Sequence, residues 1–76
     1  MNQQTPISMR VKTCRKALNL SQKQLAAVLG MHQQTISAYE TGRLEPGAFS
    51  LLCLADAFNV SVDYLLGRTD NPETNH

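Results

Sequence analysis

Residues 21–41 read SQKQLAAVLGMHQQTISAYET. Ser21 with Gln24 three positions later is a capping box: the hydroxyl accepts the N–H of residue 24, and the Gln24 amide reaches back. Behind it Leu25, Ala26, Val28 and Leu29 form an apolar stripe at helical spacing. Gly30 is the residue type that ends helices in the left-handed conformation. After a short turn, Gln33 opens a second helical pattern. Ile36 and Tyr39 share one face of it, while Gln33, Gln34, Ser37 and Thr41 lie away from Ile36 and make a polar face. Gly42 supplies the next stop. Ala26 is small, as a close crossing of two helices requires.

Two short helices joined by a tight turn, the second with an amide-rich outer face, have the layout of a helix-turn-helix, whose second helix enters the major groove of DNA. The flanking sequence predicts three more helices. Thr5 caps a first helix over residues 6–18, with Pro6 at its first position. Ile7, Val11, Cys14 and Leu18 fall on one face of it. Asn19 ends it in the left-handed conformation and Leu20 turns into the core. The second and third helices cover 22–29 and 33–40, and TGRLEPG, residues 41–47, is a loop. A fourth helix is expected over 48–58 with Leu51, Leu54, Ala55 and Phe58 inward. Ser61 caps a short fifth over 62–66, with Asp63 in its first turn, where the helix dipole favours an anion. The expected fold is therefore all-α, a compact five-helix domain with the helix-turn-helix formed by helices 2 and 3. Residues 1–5 read as a frayed start, 6–67 as the domain, and 68–76 as a flexible tail or linker.

Seventy-six residues make one small domain. No apolar run approaches the length of a membrane span, and MNQQTPISMR lacks the pattern of a secretory signal, so the expected location is cytoplasmic. The net charge of +1 hides an asymmetry. Residues 1–43 carry Arg10, Lys12, Arg15, Lys16, Lys23 and Arg43 against Glu40 alone, a balance of +5. Residues 44–76 carry Arg68 against Glu45, Asp56, Asp63, Asp70 and Glu73, a balance of −4. A solvated charged face explains this in isolation; beside the helix-turn-helix it fits a surface turned toward phosphates. Cys14 and Cys53 form no CxxC pair and have no ligand cluster, so neither zinc nor a structural disulfide is expected. No catalytic constellation surrounds His32 or His76, and no phosphate loop is present. An enzyme and a cofactor are not expected.

The stretches ISMRVKTCRKALNLSQKQLA, LGMHQQTISAYETGR and LADAFNVSVDYLLG, in that order and spacing, resemble the Xre/Cro-type helix-turn-helix family. Within it they resemble the DNA-binding domains of lambdoid phage repressors of the phage 434 type. The resemblance covers most of the chain and implies double-stranded DNA, an operator, as the partner.

Glutamine offers a donor and an acceptor side by side, which matches adenine N6 and N7 in the major groove. Gln33 and Gln34 are therefore the leading base-contact candidates, and the resemblance implies that role for both. Ser37 is the next candidate, although the 434-type repressor has a glutamate there, so the operator sequence does not carry over. His32, just before the helix, lies where a phosphate or a thymine methyl would be near. The alternatives are a solvated helix surface for the glutamines and a plain turn residue for His32. Gln22, in the first turn of helix 2, and Arg43, just past helix 3, match family phosphate positions. Thr41, Lys23, Arg10 and Arg15 complete the phosphate candidates; for lone surface cations the alternative is simple solvation. The resemblance also implies a salt bridge between Arg15 and Glu40 that fixes helix register and orients the guanidinium toward the DNA backbone.

One recognition helix touches few base pairs, and dimers of this family bind half-sites one DNA turn apart, so a C2 homodimer is expected, at least on DNA. Helices 4 and 5 carry more apolar residues than one small core needs, including Phe49. Leu52, Val62, Tyr64 and Leu65 are the interface candidates, with scattered surface hydrophobes as the alternative. The expected function is sequence-specific transcriptional regulation, most simply repression by excluding polymerase from a palindromic operator. RNA polymerase or an antagonist protein are further expected partners, and a membrane is not. The alternative is an antitoxin-like or adaptor protein whose helix-turn-helix domain also binds a protein partner.

Overall fold

The computed structural model describes residues 5–73. These form α1 (Pro6–Ala17), α2 (Gln22–Leu29), α3 (Gln33–Thr41), α4 (Ala48–Phe58) and α5 (Val62–Leu65), with no strand among the described residues. The all-α, five-helix expectation holds. α2 packs against α3 and both α1 and α4 pack beneath the pair, while α5 closes the bundle against α1 and α4.

Three of the helices, α1, α2 and α5, start at a side-chain cap, and all five stop at a local signal. Thr5 caps α1 and Ser21 caps α2, each through a complete capping box. The second member at α1 is Ser8, buried, whose hydroxyl accepts the Thr5 N–H at 2.8 Å and donates to the Thr5 carbonyl at 3.0 Å. Ser61 caps α5 by accepting the Tyr64 N–H. Every helix is then closed by a left-handed residue: Asn19, Gly30, Gly42, Asn59 and Gly67 in turn. The N–H of the next residue bonds back five positions, as in Met31 to Ala26 at 2.9 Å and Arg43 to Ala38 at 3.0 Å. This is the Schellman closure, and it makes each turn short and stiff.

The core is Val11, Leu25, Ala26, Ile36, Tyr39, Leu54, Ala55, Phe58, Val60 and Leu65. Each fully buried aliphatic among them contributes ~1.5–3 kcal/mol relative to exposure. Two residues expected inside lie outside. Leu18 is exposed because α1 has ended at Ala17, and the left-handed Asn19 turns Leu20, not Leu18, toward the core. Val28 is exposed because the inward stripe of α2 runs through Leu25, Ala26 and Leu29 and leaves it beyond the edge.

Both ends differ from expectation. Thr5 is the helix cap, as its place before Pro6 predicts, and so does not belong to the frayed start expected over residues 1–5, while residues 1–4 lie outside the described ones. The tail expected from residue 68 is not free through residue 73. The Arg68 N–H bonds to Asp63 at 2.9 Å and the Pro72 carbonyl accepts the Ser61 N–H at 3.0 Å. Arg10 also donates to the Thr69 carbonyl. Residues 74–76 fall outside the described residues. No helix among those described is long and apolar enough to cross a membrane.

Candidate nucleic-acid interface

Helix α3 is held by its inner face. Ile36 and Tyr39 sit in the core, and Glu40 is buried beside them. That leaves the opposite face and the N-terminal turn in solvent. Gln33, Gln34 and His32 are exposed there, and Ser37 is half-buried. His32 is the N-cap but makes no side-chain capping bond. The N–H groups of Gln33 and Gln34 therefore have no capping oxygen, while that of Thr35 bonds back to the His32 carbonyl at 3.0 Å. Two solvent-facing amides beside an uncapped helix start form a surface rich in hydrogen-bonding groups, projected by a helix whose other face is locked in place.

The lock is an ion pair. Arg15 Nε donates to Glu40 Oε2 at 2.6 Å and Nη2 to Oε1 at 3.1 Å, with both side chains buried. Its third nitrogen, Nη1, donates to the Leu20 carbonyl at 2.8 Å. Hydrogen bonding to Glu40 raises the Arg15 pKa above its ordinary value against the opposing effect of burial. Gln22 Nε2 adds a bond to Glu40 Oε1 at 3.2 Å. One carboxylate thus ties α1, α2 and α3 together. Removing one partner from a pair of this kind strands a buried charge, which is far more costly than the pair itself is stabilising.

This geometry sorts the expected phosphate contacts. Gln22 stays at the surface of the first turn of α2, half-buried. Glu40 takes one of its N–H groups and so aims the amide. The adjoining backbone N–H groups of Gln22 and Lys23 have no intrahelical acceptor. Arg43 is exposed just past α3, and its Nε donates to Thr41 Oγ1 at 3.3 Å while Thr41 donates to the Ala38 carbonyl. Thr41 therefore braces Arg43. Lys23 is exposed in the first turn of α2.

Arg15 and Arg10 are corrections. Arg15 is buried, with every side-chain nitrogen engaged inside the protein, so it positions helices in place of touching a phosphate. Arg10 donates to the Tyr64 and Thr69 carbonyls and to Asp70 Oδ1, and its guanidinium lies 4.2 Å from the Tyr64 ring centroid. Both of its terminal nitrogens are thus engaged with α5 and the segment that follows it. The sequence gives little sign of this, because the partners lie more than fifty positions away.

The interface candidates divide as well. Leu65 is fully buried, since the single turn of α5 points it into the core, and it is withdrawn as a surface residue. Tyr64 is half-buried under Arg10, and Val62 is half-buried against the core. Leu52 is 54% exposed and Phe49, three positions earlier on the outer face of α4, is 78% exposed. The two cysteines are free, and burial pushes the Cys14 thiol up, opposed by the charge of Arg10. No cluster of three or more metal-ligating side chains occurs among the described residues.

Comparison with known proteins places this geometry. The helix-turn-helix family model matches residues 11–65. The chain is 39% identical over 64 residues to YobD of Bacillus subtilis, described as an HTH-type transcriptional regulator, covering 84% of this chain and 57% of YobD. The solution structure of the DNA-binding domain of the c2 repressor of Salmonella phage P22 superposes with a TM-score of 0.79 at 36% identity, covering 99% of this chain and 96% of that one. The crystal structure of the same repressor in complex with a synthetic operator gives 0.77 at 34% identity, covering 84% and 96%. The chain spans about half the length of the curated relatives it matches. The matched segment contains α2, α3 and the whole of the buried Arg15–Glu40 link between them and α1, and the chain belongs to the helix-turn-helix family, of the Xre type its motifs resemble.

Proposed function

We propose that this chain is the DNA-reading domain of a transcriptional repressor and that it binds a two-fold symmetric operator as a homodimer. The observation that carries the reading is the front of α3, where Gln33 and Gln34 stand exposed beside an uncapped helix start. In the major groove each amide can pair with adenine N6 and N7, and Ser37 and His32 flank them on the same end of the helix. Gln22, Lys23 and Arg43 border this surface as phosphate contacts, with Thr41 holding Arg43. The likeness to a repressor solved on its operator supports the same docking here.

Size supports pairing. The domain measures 31 × 27 × 22 Å between Cα extremes, close to the ~34 Å that separates half-sites one helical turn apart. Two copies aligned with their long dimension along the DNA are near enough for their side chains to meet. The outer face of α4, with Phe49 and Leu52, supplies an apolar surface for that contact. Repression follows from occupancy alone, because a dimer seated across a promoter excludes polymerase without any chemistry.

Selection from random duplex DNA at fixed salt tests the proposal. A symmetric motif with half-sites about 10 base pairs apart is the expected result. Binding that is weak, salt-sensitive and without an enriched motif would contradict it, and would turn attention to α4 as a surface for a protein partner.

A further inference from the structure

We propose that residues 68–73 are a strap that belongs to the folded domain and is latched by Arg10, so that the chain leaves the domain from a fixed point beside α5 and not from a hinge at Gly67. Four observations converge on it. Arg10 Nη1 donates to the Tyr64 carbonyl, the last turn of α5, and at 2.6 Å to the Thr69 carbonyl in the strap. Its Nη2 reaches Asp70 Oδ1 at 2.7 Å, and its plane covers the Tyr64 ring. The Ser61 N–H, which as a helix cap has no intrahelical acceptor, is satisfied by the Pro72 carbonyl at 3.0 Å. At the start of the strap, a Cβ on Gly67 would stand 2.6 Å from Pro6 Cβ, so the chain there is pressed against the first residue of α1.

Only a guanidinium can do all of this at once. Its planar fork presents several fixed donors, and here they reach two backbone carbonyls and a carboxylate while the face stacks on an aromatic ring. Asp70 is 99% exposed, so its ion pair is the weakest part of the latch, and the carbonyl bonds hold most of it. The strap bonds to α1, Ser61 and α5, and none of its bonds among the described residues reaches α2 or α3. Its presence is thus independent of the DNA-reading surface.

Amide hydrogen exchange on the full chain reads the strap directly, with the Ser61 N–H as reporter. In the wild type this amide is expected to be protected. Arg10→Met should speed its exchange about tenfold or more, the loss expected for charge-assisted bonds, while amides inside α2 and α3 keep their protection. Arg10→Lys retains the charge but not the fork, and serves if the methionine variant folds poorly; it too should speed exchange at Ser61. Asp70→Asn should have the smallest effect. A Ser61 amide that exchanges freely in the wild type, or that is unmoved by both Arg10 variants, overturns the proposal. So does a fall of about one in the salt slope for non-specific duplex DNA on Arg10→Met, which would return Arg10 to phosphate contact.

Discussion

Helices α1 and α3 both carry polar side chains on a short amphipathic frame, yet the fold uses them in opposite ways. The two arginines of α1, Arg10 and Arg15, look in sequence like a basic face for DNA. Both are consumed internally, Arg15 by Glu40 and the Leu20 carbonyl, Arg10 by the chain beyond α5. The two glutamines that open α3 make no such bonds among the described residues and stand in solvent. Charge on α1 therefore does not mark the proposed DNA-reading surface, whose bordering cations are Lys23 and Arg43. What marks it is polar capacity that the folded chain leaves unmet, and α1 supplies the rigidity that keeps α3 in place.

The comparison breaks most visibly at the buried pair. Glu40→Gln leaves the Arg15 guanidinium without its counter-charge and replaces one of the two carboxylate acceptors that Arg15 and Gln22 share with a donor. It should cost ~3–5 kcal/mol of stability, a fall of more than ~10 °C in Tm for a domain of this size. DNA affinity should fall with it, because the α2 and α3 frames are no longer tied. Thermal melting and binding at a temperature where the variant is folded check both halves, and an unchanged Tm would remove the claim that α1 is scaffold. A smaller loss belongs to Ser21→Ala, which deletes the α2 cap and should cost ~1 kcal/mol without altering sequence preference. Arg43→Ala tests the phosphate rim. Its stability should stay within about 0.5 kcal/mol of wild type, while the salt slope of binding falls by about one, equally on all sequences. A loss confined to one base position would assign Arg43 to base contact.

The smallest effect is at Cys14. Its thiol pKa is raised by burial, so alkylation should reach half-maximal rate above the pH at which an ordinary thiol does. The sign for stability follows from linkage. The folded state favours the neutral thiol, so this contribution is complete below the ordinary thiol pKa and fades as pH rises through the folded value. A Cys14→Ser variant should flatten that slight alkaline loss.

Much of this was legible in the sequence because the signals are local. Ser21 with Gln24, Gly30, Gly42 and Ser61 each fix a helix boundary within a few residues, and all five helices match the expected bounds to within one position at either end. The face of α3 was legible for the same reason: Ile36 and Tyr39 define the inside, and the amides follow as the outside. The fates of Arg10, Leu65 and residues 68–73 were not legible. Arg10 depends on carbonyls and a carboxylate fifty-four to sixty positions away, and no periodicity encodes such a pairing. Leu65 depends on which side of a single turn meets the core, and one turn is too short to show a stripe. The Thr5–Ser8 capping box does not match the usual sequence signature because serine, not glutamate or glutamine, holds the reciprocal position.

The most direct test of the account is a thermodynamic cycle on the selected operator. Wild type and Gln33→Ala would each be titrated against the selected duplex and a duplex with one half-site base pair exchanged, at the same salt. If Gln33 reads that base pair, the substitution costs ~1–3 kcal/mol on the selected duplex and almost nothing further on the exchanged one. Equal losses on both duplexes at every base pair of the half-site would show that the front of α3 does not read sequence.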